Sequence, residues 1–122
     1  MQLGRFSMKI LLVVNSSPWG SSLGVTALRF ARAAIAEGVT ISAVFFREEG
    51  VFHARPGQAN DAGTPGLTDA WVELAQSGMT RLLVCSSSGQ RNLGEPPAEP
   101  FHEAGLAEML ALMSDSDRVV SW

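Results

Sequence analysis

The sequence predicts an α/β fold: a three-layer sandwich in which a mainly parallel sheet of four to five strands is flanked by helices. Short apolar runs of strand length alternate along the chain with stretches whose apolar residues recur at helical spacing. The order reads β-α-β-(short α)-α-β-α-β. Right-handed crossovers between parallel strands give that alternation. The first run, Ile10-Leu11-Leu12-Val13-Val14, is apolar without a break, as expected of a strand covered on both faces.

That run is the first strand, and Asn15-Ser16-Ser17-Pro18-Trp19-Gly20 breaks it with loop residues. Leu23, Ala27, Phe30, Ala31 and Ala34 then form a helical stripe, with Thr26, Arg29 and Arg32 away from it and Gly38 as the stop. Val39 to Phe46 reads as the second strand, with Ile41, Ala43 and Phe45 alternating against Thr40, Ser42 and Val44. The charged turn Arg47-Glu48-Glu49-Gly50 ends it, and Val51 to Ala54 reads as one helical turn. Arg55 to Gly66 is a surface loop rich in Gly and Pro. Leu67, Ala70, Trp71, Leu74 and Ala75 mark a helix closed by Gly78. Arg81 to Cys85 is the third strand, and Ser86 to Pro100 a second long loop. Leu106, Met109, Leu110 and Met113 mark the last helix. A turn at Asp115-Ser116-Asp117 leads to a final strand, Arg118 to Trp122. Both long loops are expected to leave the carboxyl edge of the sheet and to frame one site.

The 122 residues suit one core. We expect a flexible extension over residues 1–7, with Met8 as an alternative start, and a single domain over 8–122. A net charge of −3, with Lys9 as the sole lysine, excludes the basic footprint of a nucleic-acid binder. No apolar run approaches the ~20 residues that span a bilayer, and the first residues carry no signal-peptide pattern. The expected location is the cytoplasm, where a single thiol stays reduced. With 46% hydrophobic and only 17% charged residues, some apolar surface is expected to be covered by a partner or, without partners, by a second copy.

Cys85 is the one cysteine. It cannot form an internal disulfide, so it is either a small buried apolar residue or a reactive group. Amide N–H groups at a strand-to-helix turn lower a thiol's pKa. Ser86, Ser87, Ser88 and Gly89 are small enough to bring their amides to the sulfur, and Arg91 is placed to add positive charge. His53 and His102 lie in or beside loops at the same edge; each is either a proton-transfer group or an ordinary exposed or half-exposed histidine. One Cys and two scattered His show no metal-ligand spacing. The Ser/Gly loop over 15–22 is either a phosphate cradle of flavodoxin type or an ordinary β-α connection. It lacks both G-x-G-x-x-G and the P-loop lysine. Glu48, Glu49, Asp115 and Asp117 read as turn residues. Trp71, Met109 and Met113 fall on apolar stripes and are expected in the core, whereas Trp19 and Trp122 are candidates for contact with another subunit.

Taken together, these segments resemble the TusD/DsrE branch of the DsrE/DsrF-like family. The resemblance rests on the Ser/Gly loop and Ala-rich helix ending at Glu37-Gly38, and on Val44-Phe45-Phe46 followed by Gly50-Val51 and Ala54. Leu83-Val84-Cys85 and Gly105-Leu106 with the ending Asp117-Arg118-Val119-Val120-Ser121-Trp122 complete it. It covers residues 8–122. The segment after Cys85 departs from the pattern: it is more polar than the Ala-rich stretch of the branch. The resemblance implies a sulfur carrier that holds sulfane sulfur on Cys85 as a persulfide and needs no cofactor. It also implies a subunit of a three-protein assembly, two copies of each, passing sulfur to a small DsrC/TusE-like acceptor. The destination is either 2-thiouridine of tRNA or sulfur oxidation. Two alternatives stand beside it, a structural subunit without catalytic role and a flavodoxin-like nucleotide-binding module.

Overall fold

A computed structural model describes residues 8–56 and 66–122. The extension expected over 1–7 and the 57–65 part of the first long loop lie outside the described residues. Five parallel strands form one sheet in the order β4-β3-β2-β1-β5. They are β1 (Lys9–Val14), β2 (Thr40–Phe46), β3 (Arg81–Cys85), β4 (His102–Ala104) and β5 (Arg118–Ser121). Helices α1 (Leu23–Ala36) and α2 (Leu67–Gly78) cover one face, and α4 (Leu106–Ser114) packs on the other. The three-layer α/β sandwich read from the alternation is the observed fold.

Leu11, Leu12 and Val14 have no exposed surface, because helices lie above and below β1. In β2 the simple alternation fails. Ile10 pairs with Ile41 and Leu11 with Ala43, so Ser42 is an extra residue that bulges the strand. Ile41, Val44 and Phe46 therefore face the α1/α2 layer, while Ala43 and Phe45 face α4. The α1 stripe is rotated from its expected position. Gly24, Ala27, Leu28 and Ala31 are buried and Leu23 is exposed, because the helix presses its Gly24 edge onto the His53 ring. Trp71 is fully buried, as expected, with Phe46 edge-on at 5.4 Å between ring centroids.

Two expectations need correction. The segment after Cys85 is not one long loop: Ser86–Asn92 forms helix α3, and His102–Ala104 adds the edge strand β4. Serines are favoured at turns and helix starts alike, and a three-residue strand has no period to detect. The last helix also differs. Met109 is buried, but Met113 is 38% exposed, Leu110 55% and Leu106 68%. Met109 and Leu112 face the sheet, so the remaining apolar residues form a second stripe, at i, i+4 and i+7, turned to solvent.

Candidate active site

Alternation along β3 decides where the sulfur lies. Leu82 and Val84 face the α1/α2 layer, and Leu83 and Cys85 the α4 layer. Cys85 is the last residue of β3 and the residue from which α3 starts. The thiol is half-buried and packs against the Leu11–Phe45–Leu83 cluster on its inner side. Its Sγ lies 3.3 Å from Ser87 Oγ. Partial burial pushes the Cys85 thiol up. Hydrogen bonds from the hydroxyls and backbone N–H groups of Ser87 and Ser88 outweigh that and bring it down to about 7. About half of the sulfur is then thiolate at neutral pH, which makes it a competent nucleophile.

The segment after β2 builds the rest of the site. Residues Glu48–Ala54 form a 3-10 helix whose start packs on α3. Glu48 has a left-handed backbone (φ 50°), uncommon for a residue with a side chain. Its N–H donates to Ser88 Oγ at 3.0 Å, its carbonyl accepts from Asn92 Nδ2 at 3.2 Å, and its carboxylate pairs with Arg91 at 3.4 Å. Arg91 Nη2 also reaches Ser88 Oγ at 3.4 Å. The guanidinium expected beside the sulfur is thus held by Glu48 and Ser88. The expected single helical turn over 51–54 is the second half of this longer element.

Neither histidine joins the thiol as expected. His53 is fully buried rather than exposed. Its ring lies 5.3 Å from Phe46 and 6.3 Å from Trp71 between centroids, and Nε2–H donates to the Ser16 carbonyl at 3.1 Å, which fixes the tautomer. Burial lowers its pKa to about 4, against a smaller raising effect of the Ser16 carbonyl. His53 is therefore a neutral core residue. Protonation favours the unfolded chain, so the stability it permits is whole above pH 6.5 and is lost as pH falls towards about 4, a change of ~3 kcal/mol. A His53→Gln variant is expected to flatten that acid limb of a melting-temperature profile. A limb of unchanged slope would contradict the assignment. His102 is exposed on β4 and pairs with Leu83, about 7 Å down the sheet from the residue that pairs with Cys85.

The Ser/Gly loop after β1 is an ordinary connection. Ser17 Oγ accepts the Trp19 N–H at 3.0 Å and Ser21 Oγ the Leu23 N–H at 3.1 Å, so these hydroxyls serve the loop's own turns. Of the two tryptophans expected at a partner surface, Trp19 is 41% exposed, its ring tilted against Phe52 at 5.6 Å between centroids. Trp122 is half-buried instead: it packs on Phe30 and extends β5 by exchanging hydrogen bonds with Val13 and Asn15. Among the described residues no cluster of His, Cys, Asp or Glu could hold a metal ion, and no helix is long and apolar enough to cross a membrane. Cys85 at the end of the third strand, with serines after it, was legible in the sequence; the contacts of Glu48 were not. A left-handed glutamate leaves no mark in a charged turn.

Fold and site together define a parallel α/β protein with one half-exposed thiol at the carboxyl edge of its third strand. Residues 8–122 match the DsrE/DsrF-like family, and the chain belongs to it. The chain is 33% identical to "Sulfurtransferase TusD homolog" of Vibrio vulnificus strain YJ016, over 95% of this chain and 98% of the relative. It is 36% identical to the protein of the same name from Vibrio parahaemolyticus, over 91% and 95%. It is 31% identical to "Sulfurtransferase TusD" of Cronobacter sakazakii, over 94% and 100%. The fold is that of the ychN protein from E. coli, with a TM-score of 0.81, 20% identity, and coverage of 94% of this chain and 99% of the other.

Proposed function

We infer that the protein is a sulfurtransferase of the sulfur-relay type and that Cys85 carries the sulfur. The single observation behind the assignment of Cys85 is its half-exposed thiol at the end of β3, 3.3 Å from the Ser87 hydroxyl, with its pKa lowered to about 7. In the first step the Cys85 thiolate attacks the outer sulfur of a donor persulfide. The new sulfur–sulfur bond forms as the donor's bond breaks, and the donor leaves as its thiolate. In the second step an acceptor thiolate attacks that outer sulfur and Cys85 leaves as thiolate. The proton travels with the transferred sulfur or exchanges with water, and neither step needs an external oxidant or reductant. Attack requires thiolate, and departure is faster from a low-pKa sulfur, so a value near neutrality serves both steps.

The partners in this reading are paralogous subunits of a heterohexamer and a small DsrC/TusE-like acceptor, in the cytoplasm, where the lone thiol stays reduced. The exposed stripe Leu106, Leu110 and Met113 on α4, with Val119 on the neighbouring edge strand β5, supports such an assembly. It lies on the same side of the sheet as Cys85. The experiment is cyanolysis after incubation with a cysteine desulfurase and cysteine. Release of thiocyanate at one sulfur per chain is expected, because the chain has one cysteine. A loaded desulfurase with no cyanide-labile sulfur on this protein, partners included, would favour a purely structural subunit.

A further inference from the structure

The charged and titratable groups expected beside the sulfur are engaged elsewhere. Arg91 is held by Glu48, His53 is buried with Nε2–H on the Ser16 carbonyl, and His102 pairs with Leu83 further down the sheet. The Ser87 hydroxyl is at the sulfur itself, with Oγ 3.3 Å from Cys85 Sγ. Either atom can donate while the sulfur is a thiol. A thiolate has no proton, so in that state the hydroxyl is the donor.

The helix that carries Ser87 is fixed. Glu48 holds α3 near its start and at its end: its N–H donates to Ser88 Oγ at 3.0 Å, and its carbonyl accepts from Asn92 Nδ2 at 3.2 Å. With the backbone held, one side-chain torsion sets the Ser87 oxygen, so little freedom is lost when the hydroxyl turns to the sulfur. Ser87 is exposed, which places this hydroxyl on the open side of the half-buried thiol, where a reacting partner must approach.

We propose that Ser87 is a catalytic residue: its hydroxyl donates to the Cys85 sulfur when that sulfur carries negative charge, and so stabilises Cys85 as the leaving group in sulfur discharge. The leaving-group role rests on the carrier role given to Cys85. In the loaded protein Sγ is bonded to Cβ and to the outer sulfur and carries little charge, so the hydroxyl gains little there. An acceptor thiolate attacks the outer sulfur. The new sulfur–sulfur bond forms as the old one breaks, and the electron pair of the old bond returns to Cys85 Sγ. The hydroxyl keeps its proton throughout. Its contact strengthens only as charge arrives on Sγ, which is the condition for lowering a barrier rather than merely binding.

The test compares the wild type with Ser87→Ala and with Ser87→Thr, which keeps a hydroxyl. The position is exposed, so both variants are expected to fold. Alkylation by iodoacetamide across pH gives the midpoint of thiolate formation, expected at about 7 in the wild type. Discharge is followed with excess glutathione after loading from a cysteine desulfurase and cysteine. In Ser87→Ala the midpoint rises by about one pH unit, the low end for a hydrogen bond to a charged group, because the site faces water. Discharge slows about 3-fold, since a sulfur of higher pKa leaves more slowly, while alkylation on the alkaline plateau becomes about 3-fold faster, since nucleophilicity rises with pKa. Simple loosening of the site does not move the two rates in opposite directions. Ser87→Thr restores both.

A Ser87→Ala protein with the wild-type midpoint or the wild-type discharge rate would overturn the proposal, as would a Ser87→Thr protein that behaves like Ser87→Ala. Wild-type protein that takes up no sulfur, with a midpoint that still moves with the hydroxyl, would overturn the carrier reading and the leaving-group role together and leave the hydrogen bond to the thiolate in place.

Discussion

Cys85→Ser is expected to reduce sulfur uptake from a desulfurase to background, a loss of at least ~10³-fold. The chain has no second cysteine to substitute for it. A serine hydroxyl is scarcely ionised at neutral pH, so the attack on the donor persulfide has no nucleophile. The substitution is nearly isosteric at a half-exposed position, and the melting temperature is expected to change little. The measurement is thiocyanate release after loading, with the melting curve beside it. Uptake that survives in a folded Cys85→Ser protein would move the sulfur to another residue or to a bound small molecule.

Gly50→Ala is expected to destabilise the protein by at least ~3 kcal/mol, because the clash is with backbone rather than with a flexible side chain. A Cβ on Gly50 would lie 2.0 Å from the Val14 carbonyl oxygen and 2.8 Å from its carbon. Here the 3-10 helix crosses directly over the end of β1. The same β1 end is tied to the turn before it, with Arg47 N–H donating to Val14 O at 2.9 Å and Gly50 N–H to Arg47 O at 2.7 Å. Relief therefore requires the 3-10 helix to lift, which pulls Glu48 away from Ser88. The variant is expected to show a lower melting temperature and a lower midpoint in denaturant. Full stability in denaturant would show that the element relaxes without cost.

The layer order, the strands β1 to β3 and β5, and the place of Cys85 at the end of β3 were all legible in the sequence, because long apolar runs and a lone cysteine after one of them are strong local signals. What was not legible depends on contacts between distant segments. The bulge at Ser42 is invisible until β2 is paired with β1. His53 lies between a charged turn and a Gly/Pro-rich loop in the sequence, yet Gly24, Phe46 and Trp71 enclose it from three other elements. Helix α3 is built from serines, glycine and glutamine, a composition shared with loops. Glu48 acquires its role only because the turn after β2 meets the helix after β3, 40 residues later in the contact to Ser88. Met113 shows the converse failure. Its spacing is that of a core residue, but the short α4 has two apolar stripes and a single sheet face to bury.

Peptide-level mass spectrometry of the wild-type protein, taken after exposure to a desulfurase, cysteine and the paralogous subunits, tests the carrier assignment most directly. One added sulfur atom is expected on the peptide containing Cys85, removed by a thiol reductant. An unmodified Cys85 peptide from protein whose thiol is alkylated normally, with the donor demonstrably charged, would contradict it.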